Sequence, residues 1–255
     1  MARSQSYRER ALVIRTYDLG EADRIIVFLT KGRGLVRGVA KGVRRSKSRF
    51  GSRLQPFIEL DVQFYAGRSL ESITGADTVQ FFATGIIEDL GRYSAAGAVL
   101  EATERLALAH VGGDGDSLYD LVIDALADLQ ASSTPTLRLD AFLLQAMELA
   151  GWAPSLFQCG NCGAPGPHGA FHPAPGGALC ATCRLPGAID VDPEVLHVMW
   201  LLIARQWTRA WEIIGEQFER GKGQLFVDNI HTLTRTHLQW HVERKLHSLN
   251  VLDQA

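Results

Sequence analysis

The 255-residue sequence has only four cysteines and no long apolar segment, and both shortages exclude classes of protein. Its most apolar run, residues 196–204, is far shorter than the roughly 18 residues that a transmembrane helix requires. The first ten residues contain no apolar stretch, so we expect no signal peptide there. These absences predict a soluble protein of the reducing cytoplasm that has no membrane partner.

Motifs that mark common catalytic sites are also missing. Residues 34–42 (GLVRGVAKG) lack the glycine–lysine spacing of a phosphate-binding P-loop. The chain contains neither a Gly-x-Ser-x-Gly nor a His-Glu-x-x-His segment. His237 and His241 share one helical face, but no neighbouring acid completes a metal site, so we interpret them as packing residues. The sequence predicts no catalytic residue, and we expect that the protein is not an enzyme.

Net charge is small, at −2, but it is distributed unevenly. Residues 1–80 contain 15 basic and 8 acidic residues, whereas residues 81–255 contain 11 and 20. A basic run, residues 31–53, contains no acid and nine cations: Lys31, Arg33, Arg37, Lys41, Arg44, Arg45, Lys47, Arg49 and Arg53. Such density, interleaved with glycine and serine, favours contact with nucleic-acid phosphates over a merely solvated loop. The aromatic candidates for base stacking, most of them equally suited to a core, are Phe50, Phe57, Phe64 and Tyr65.

Hydrophobic periodicity changes at about residue 80. Before it lie five β-rich segments, at residues 12–14, 24–29, 35–41, 57–65 and 70–80. Short strands without a long helical pattern predict a small five-stranded barrel, an OB-fold or an SH3-like barrel, of which the OB-fold is the commoner kind. After residue 81 the period is helical, so the fold class is α+β.

Helix start signals support a helical domain in the second part. Thr134-Pro135 and Asp192-Pro193 each place a capping residue before a proline at the first helical position. Gly151 fits the end of the first of these helices. A last helix is predicted from about Gln224 towards Leu249.

All four cysteines occur in two Cys-x-x-Cys turns, Cys159/Cys162 and Cys180/Cys183, separated by 17 residues. This spacing is typical of a zinc site in which both turns complete a closed tetrahedral shell of four thiolates. Because that shell has no open position, we predict one structural Zn²⁺. The alternatives are two disulfides, which a cytoplasmic location disfavours, four free thiols, or a redox motif, which needs only one pair. His168 and His172 lie in the intervening Gly/Pro-rich loop and are interpreted as bystanders.

These patterns predict four segments. Residues 1–80 form an OB-fold nucleic-acid-binding domain, and residues 81–157 form the first part of a helical domain. A zinc-ribbon-like module at residues 158–186 is inserted there, and residues 187–255 complete the helical domain.

Segments along the whole chain resemble the bacterial RecO family of DNA-repair proteins. They are residues 11–24 (ALVIRTYDLGEADR), 30–34 (TKGRG) and 40–46 (AKGVRRS), the four cysteines and residues 244–249 (RKLHSL). The resemblance implies an N-terminal OB-fold and a helical domain that contains a zinc module. It also implies binding to single- and double-stranded DNA, strand annealing, and action with RecR and RecF to load RecA.

The family also implies a contact with the acidic tail of the single-strand-binding protein. The candidate cations for it in the otherwise acidic second part are Arg105, Arg138, Arg205, Arg209 and Arg235. Two other functions fit the residues: a nucleic-acid-processing enzyme whose zinc module clamps its substrate, and an RNA-binding zinc-ribbon scaffold.

Overall fold

The structure, a computed structural model, describes residues 6–109 and 115–242. Its first five strands are β1 Ser6–Leu19, β2 Asp23–Thr30, β3 Gly34–Ala40, β4 Ile58–Tyr65 and β5 Glu71–Phe81. They form a closed barrel in the order β1-β2-β3-β5-β4, which the pairing of β4 with β1 completes. The β3–β5 pair is parallel, and the other four pairs are antiparallel. This arrangement confirms the predicted OB-fold.

Alternating residues of these strands fill the barrel. Ile26, Phe28, Leu60, Val62 and Phe64 are all buried in one core cluster. Alternation along each strand places the residues between them on the outer surface. The sequence therefore specifies the barrel through period-two patterning, as predicted.

Gly38 of β3 faces this core at a point where no side chain fits. A Cβ atom there would lie 2.9 Å from Cγ1 of Ile73, a core residue of β5. Glycine at this position lets β3 pair with β5 and close the barrel.

A β-bulge exchanges the two faces of β1. Ala11 and Val13 belong to the barrel core, but the register shifts between Val13 and Arg15. Beyond the shift, Thr16 lies opposite the core residue Ile26, so Tyr17 points outward.

Helices dominate the rest of the described chain. Their bounds are α1 Ala83–Ile86, α2 Leu90–Ala109, α3 Gly115–Leu129, α4 Pro135–Leu149, α5 Pro193–Ile203, α6 Trp207–Glu219 and α7 Gly223–His241. Between α4 and α5 lie a 3₁₀ turn, Ala181–Cys183, and a small sheet of β6 Ala170–His172, β7 Gly177–Leu179 and β8 Ile189–Asp190. None of the helices in the described ranges combines the length and the apolar character needed to cross a membrane.

The predicted helix starts lie where the sequence places them. Asp192 caps α5 with a side-chain oxygen 2.9 Å from the backbone nitrogen of Glu194, whereas Thr134 makes no such side-chain bond at α4. The last helix is shorter than predicted, because Val242 is extended (φ −113°, ψ 129°) and α7 ends at His241. The predicted continuation towards Leu249 otherwise lies outside the described residues.

Two compact units make up the described chain, one up to Ser133 and the other from Thr134 onward. Helix α3 belongs to the first unit, where the Tyr119 hydroxyl donates to the buried Glu59 carboxylate of β4 at 2.8 Å. Arg10 of β1 contacts the same carboxylate at 3.0 Å. Burial, then the bond to Glu59, raises the pKa of Tyr119 above its ordinary range. The boundaries at residues 80, 157 and 186 stay predictions.

Candidate nucleic-acid interface and metal centre

The nine cations of the basic run all lie on the barrel. Lys31 and Arg33 occupy the turn between β2 and β3, and Arg37 lies on β3 itself. The other six belong to the loop that joins β3 to β4. The nine cations therefore lie along β3 and at both of its ends.

Five of the nine have partners within the protein. Lys31 pairs with Asp120 of α3 at 3.1 Å, and Arg33 pairs with Glu9 of β1, also at 3.1 Å. The other three donate to backbone carbonyl oxygens: Arg44 to Gly20, Arg49 to Ile73, and Arg53 to Phe50. These side chains help to hold the loop and its neighbours in place.

The remaining four cations of the run are Arg37, Lys41, Arg45 and Lys47. All four side chains are exposed, and none of these side chains makes a hydrogen bond or an ion pair with a residue that the structure describes. Arg68, in the β4–β5 loop, is equally exposed and without a partner among those residues. The sequence analysis did not single out Arg68, because it lies outside the dense run, between the strand segments at residues 57–65 and 70–80.

Two acidic residues beside this surface, Asp18 and Asp23, have partners within the protein. Arg24 donates to Asp18 at 2.9 Å, and Arg44 lies 3.4 Å from the other oxygen of that carboxylate. The bond from Arg24 and the charge of Arg44 lower the pKa of Asp18. Asp23 accepts a hydrogen bond from the backbone nitrogen of Gly42 at 2.7 Å. The unpartnered cations therefore leave the surface positive.

The loop that bears most of these cations is folded. Four successive backbone bonds, each spanning three residues, run from residue 42 to residue 53. Phe50 and Leu54 are each 1% exposed and belong to the barrel core. Arg49 adds its bond to the carbonyl oxygen of Ile73 and places its guanidinium 4.7 Å from the centre of the Phe50 ring.

The four aromatic candidates for base stacking differ in their exposure to solvent. Phe50, Phe57 and Phe64 are buried, so they are core residues and no base can reach them. Tyr65, at the end of β4, is 46% exposed. Of the four, only Tyr65 stays a candidate.

The cysteines come together in the second unit. Each contributes one sulfur atom, and all four Sγ atoms lie within 4.8 Å of one another. The Sγ atoms of Cys162 and Cys180 are 3.9 Å apart, and none of the four is in a disulfide. A tetrahedral site with metal–sulfur bonds of about 2.3 Å has sulfur–sulfur edges of about 3.8 Å. The four thiols therefore cluster as they do in a zinc site.

The local backbone explains this convergence. The amide nitrogen of Gly163 bonds to the carbonyl oxygen of Cys159 at 2.8 Å, and Gly163 has a φ of 74°, which favours glycine. The second turn is the 3₁₀ helix, in which Cys183 bonds back to Cys180 at 3.1 Å. Both turns therefore direct two sulfur atoms to one point.

Two of the four thiols have pKa values shifted in opposite directions. Hydrogen bonds from backbone N–H groups, first that of Cys180, lower the pKa of Cys159 to about 6. At Cys183, the hydrogen bond from the Asn161 amide lowers the pKa, whereas hydrogen bonds with the neighbouring thiols raise it. The effect of the thiols is larger, so the pKa of Cys183 is raised to about 11. A divalent cation at the centre would stabilise all four thiolates together.

The two histidines of this segment do not join the cluster. Nε2 of His168 lies 3.0 Å from the carbonyl oxygen of Ala164, and Nδ1 of His172 accepts from the backbone nitrogen of Ala174. Both rings thus have other hydrogen-bond partners, in agreement with their interpretation as bystanders.

Comparison with known protein families covers nearly the whole chain. Residues 1–82 match the family described as recombination protein O, N terminal, and residues 87–250 match recombination protein O, C terminal. The chain belongs to the recombination protein O family. Membership in this family, the RecO family, supports a role in DNA repair as a recombination mediator that binds DNA.

Proposed function

We propose that this RecO-family chain binds single-stranded DNA through the basic run on its barrel and mediates recombination in the bacterial cytoplasm without catalysing covalent chemistry. The observation that supports this most strongly is the group of four exposed cations without protein partners, Arg37, Lys41, Arg45 and Lys47. Cations left without a protein counterion are available to neutralise phosphates and to release the counterions of DNA. The other five members of the run contribute charge and hold the loop.

The finer functions follow from the family. They are binding of double-stranded DNA, annealing of complementary strands, and loading of RecA together with RecR and RecF. Phosphate contacts suit annealing, because they position a strand without reading its bases. A surface of this kind accepts any sequence.

We also propose that the cysteine cluster holds one structural Zn²⁺. Four thiolates form a soft donor set that suits this ion, and they fill all four positions of a tetrahedron. One core cluster of the module includes the ligand candidate Cys159 together with Ala170 and Leu179, and Cys180 and Cys183 pack against it. Because the thiols are part of this packing, a metal cross-link between them would stabilise the segment.

Salt titration tests DNA binding directly. If the four unpartnered cations each contact a phosphate, the logarithm of affinity for a single-stranded oligonucleotide should fall by about 3 per tenfold rise in salt. Fluorescence anisotropy of a labelled oligonucleotide measures this slope. Affinity that does not change with salt would contradict the proposal.

The same assay separates the alternatives. An RNA-binding scaffold should prefer an RNA oligonucleotide of the same length over DNA. A nucleic-acid-processing enzyme should shorten or modify the labelled DNA when Mg²⁺ is added. The proposal predicts intact DNA and no preference for RNA.

For the acidic tail of the single-strand-binding protein, we propose a contact at Arg138. Its guanidinium lies 4.5 Å from the ring centre of Trp207 and 5.3 Å from that of Trp211. This combination of a cation and apolar rings suits an acidic peptide with apolar side chains. Arg209, another of the candidates, pairs with Glu212 at 3.0 Å, and its guanidinium lies over no aromatic ring of the described residues.

Replacement of Arg138 by alanine is expected to weaken binding of a tail peptide about tenfold or more, because a charged hydrogen-bond donor contributes about 1.5–3 kcal/mol. Calorimetry at low salt measures this affinity. Arg209→Ala is the matched control and should bind as the unaltered chain does. Equal losses in both variants would count against a specific role of Arg138.

A further inference from the structure

One outward row of residues runs around the barrel and has an exposed tyrosine at each end. Register places Tyr17 opposite Ile25, Ile25 opposite Val39, Val39 beside Ser72, and Ser72 opposite Tyr65. Neighbouring strands lie about 4.8 Å apart, so these side chains form a continuous strip. The strip crosses all five strands.

The first half of this strip is an apolar surface open to solvent. Tyr17 is 44% exposed, and its side chain makes no hydrogen bond, ring stacking or cation–π contact with any residue in the described ranges. Ile25 and Val39 are half-buried. Tyrosine beside two branched aliphatic side chains offers a flat apolar area that water solvates poorly.

Unpartnered positive charge flanks this area on the same face. Arg37 precedes Val39 by two residues on β3, and alternation places it outward like Val39. Lys41, two residues after Val39, is exposed at the start of the β3–β4 loop. The nearby carboxylates of Asp18 and Asp23 have partners, which leaves Glu21 as the exposed acid of the β1–β2 turn. An aromatic and apolar centre between cations matches a flexible polyanion with flat apolar groups.

We infer that Tyr17, Ile25 and Val39 form a stacking platform for an unpaired base of a single strand, whose neighbouring phosphates contact Arg37 and Lys41. The inference rests on the proposed binding of DNA and adds a reason for preferring single strands. A ring can stack only on a base that is free of its own neighbours, and aromatic stacking is tolerant of sequence. Duplex DNA keeps its bases stacked and offers this platform only its backbone.

The test compares a thymidine oligonucleotide with an abasic oligonucleotide of the same length, which has the phosphates but no bases. Tyr17→Ala should weaken binding to the thymidine strand about tenfold and leave binding to the abasic strand unchanged. Tyr17→Phe keeps the ring and should bind both strands normally. Tyr93→Ala removes an exposed tyrosine of α2 that is not part of the strip, and it should bind as the unaltered chain does.

Three results would overturn the inference, and they differ from one another. Unchanged binding of the thymidine strand by Tyr17→Ala, with a normal salt slope, removes the platform but leaves the proposed function. Equal losses on both strands would mean that Tyr17 acts through structure or charge and not through stacking. Absence of salt-dependent binding by the unaltered chain would remove the proposed function as well.

Discussion

Replacing Cys162 with serine is expected to abolish zinc binding and to lower the midpoint of thermal unfolding of the second unit by about 10 °C or more. Cys162 is exposed, so the exchange of sulfur for oxygen should change the free energy of unfolding by no more than about 0.5 kcal/mol unless the sulfur binds a metal. A large loss of stability at an exposed position would therefore report the metal and not side-chain packing.

Metal content per chain and a thermal unfolding curve are the two measurements. Thr182→Ala is the matched control, because Thr182 is exposed and lies between Cys180 and Cys183. It should retain one zinc per chain and its midpoint. Purified unaltered protein without zinc, with all four thiols open to alkylation under native conditions, would refute the site.

Reversing Lys41, Arg45 and Lys47 to glutamate is the second change with a large expected effect. Loss of three phosphate contacts should lower the salt slope on single-stranded DNA by about 2 and the affinity at low salt on the order of 100-fold. The fold should persist, since none of these side chains makes a hydrogen bond or an ion pair with the described residues. Circular dichroism and the unfolding midpoint check this point.

A matched variant separates local contact from overall charge. Reversal of Arg209, Arg220 and Lys222, exposed cations of the second unit, changes the net charge by the same amount. It should leave the salt slope nearly unaltered. If both triple variants lose affinity equally, the basic run has no special role in binding.

The choice of residues for this test depends on the structure. From sequence alone, Arg44 and Arg49 look as exposed and expendable as Arg45 and Lys47. Arg44 and Arg49 instead donate to the carbonyl oxygens of Gly20 and Ile73, each 24 positions away. Barrel closure brings these partners together, and local patterns contain no information on such distant contacts. Reversing Arg44 or Arg49 would disturb the loop itself.

Period and spacing were sufficient for much of the fold. Strand alternation predicted the five-stranded barrel, and the two Cys-x-x-Cys turns predicted the sulfur cluster, because both signals are local. The outward position of Tyr17 was not predictable in this way. Strict alternation from the core residues Ala11 and Val13 would place Tyr17 inside the barrel, and only the bulge at Ile14 reverses it.

The contact of α3 with β4 was likewise not predictable from the sequence. A charged residue within β4, Glu59, would ordinarily be assigned to the solvent side of a strand. In the structure it is 4% exposed, and Tyr119 and Arg10 satisfy its carboxylate. Tyrosine and arginine from distant segments make this burial tolerable, and neither is near Glu59 in sequence.

The folded state of the β3–β4 loop affects the entropy of binding. A disordered basic tail loses about 1–2 kcal/mol of backbone conformational freedom for each residue that a ligand orders. The loop of this chain has already lost that freedom on folding, since its backbone bonds and the burial of Phe50 and Leu54 fix its path. A DNA strand that binds meets a backbone already in place, so only the long Lys and Arg side chains still lose conformational freedom. The loop can then release one strand and accept another without refolding, as exchange between complementary strands requires.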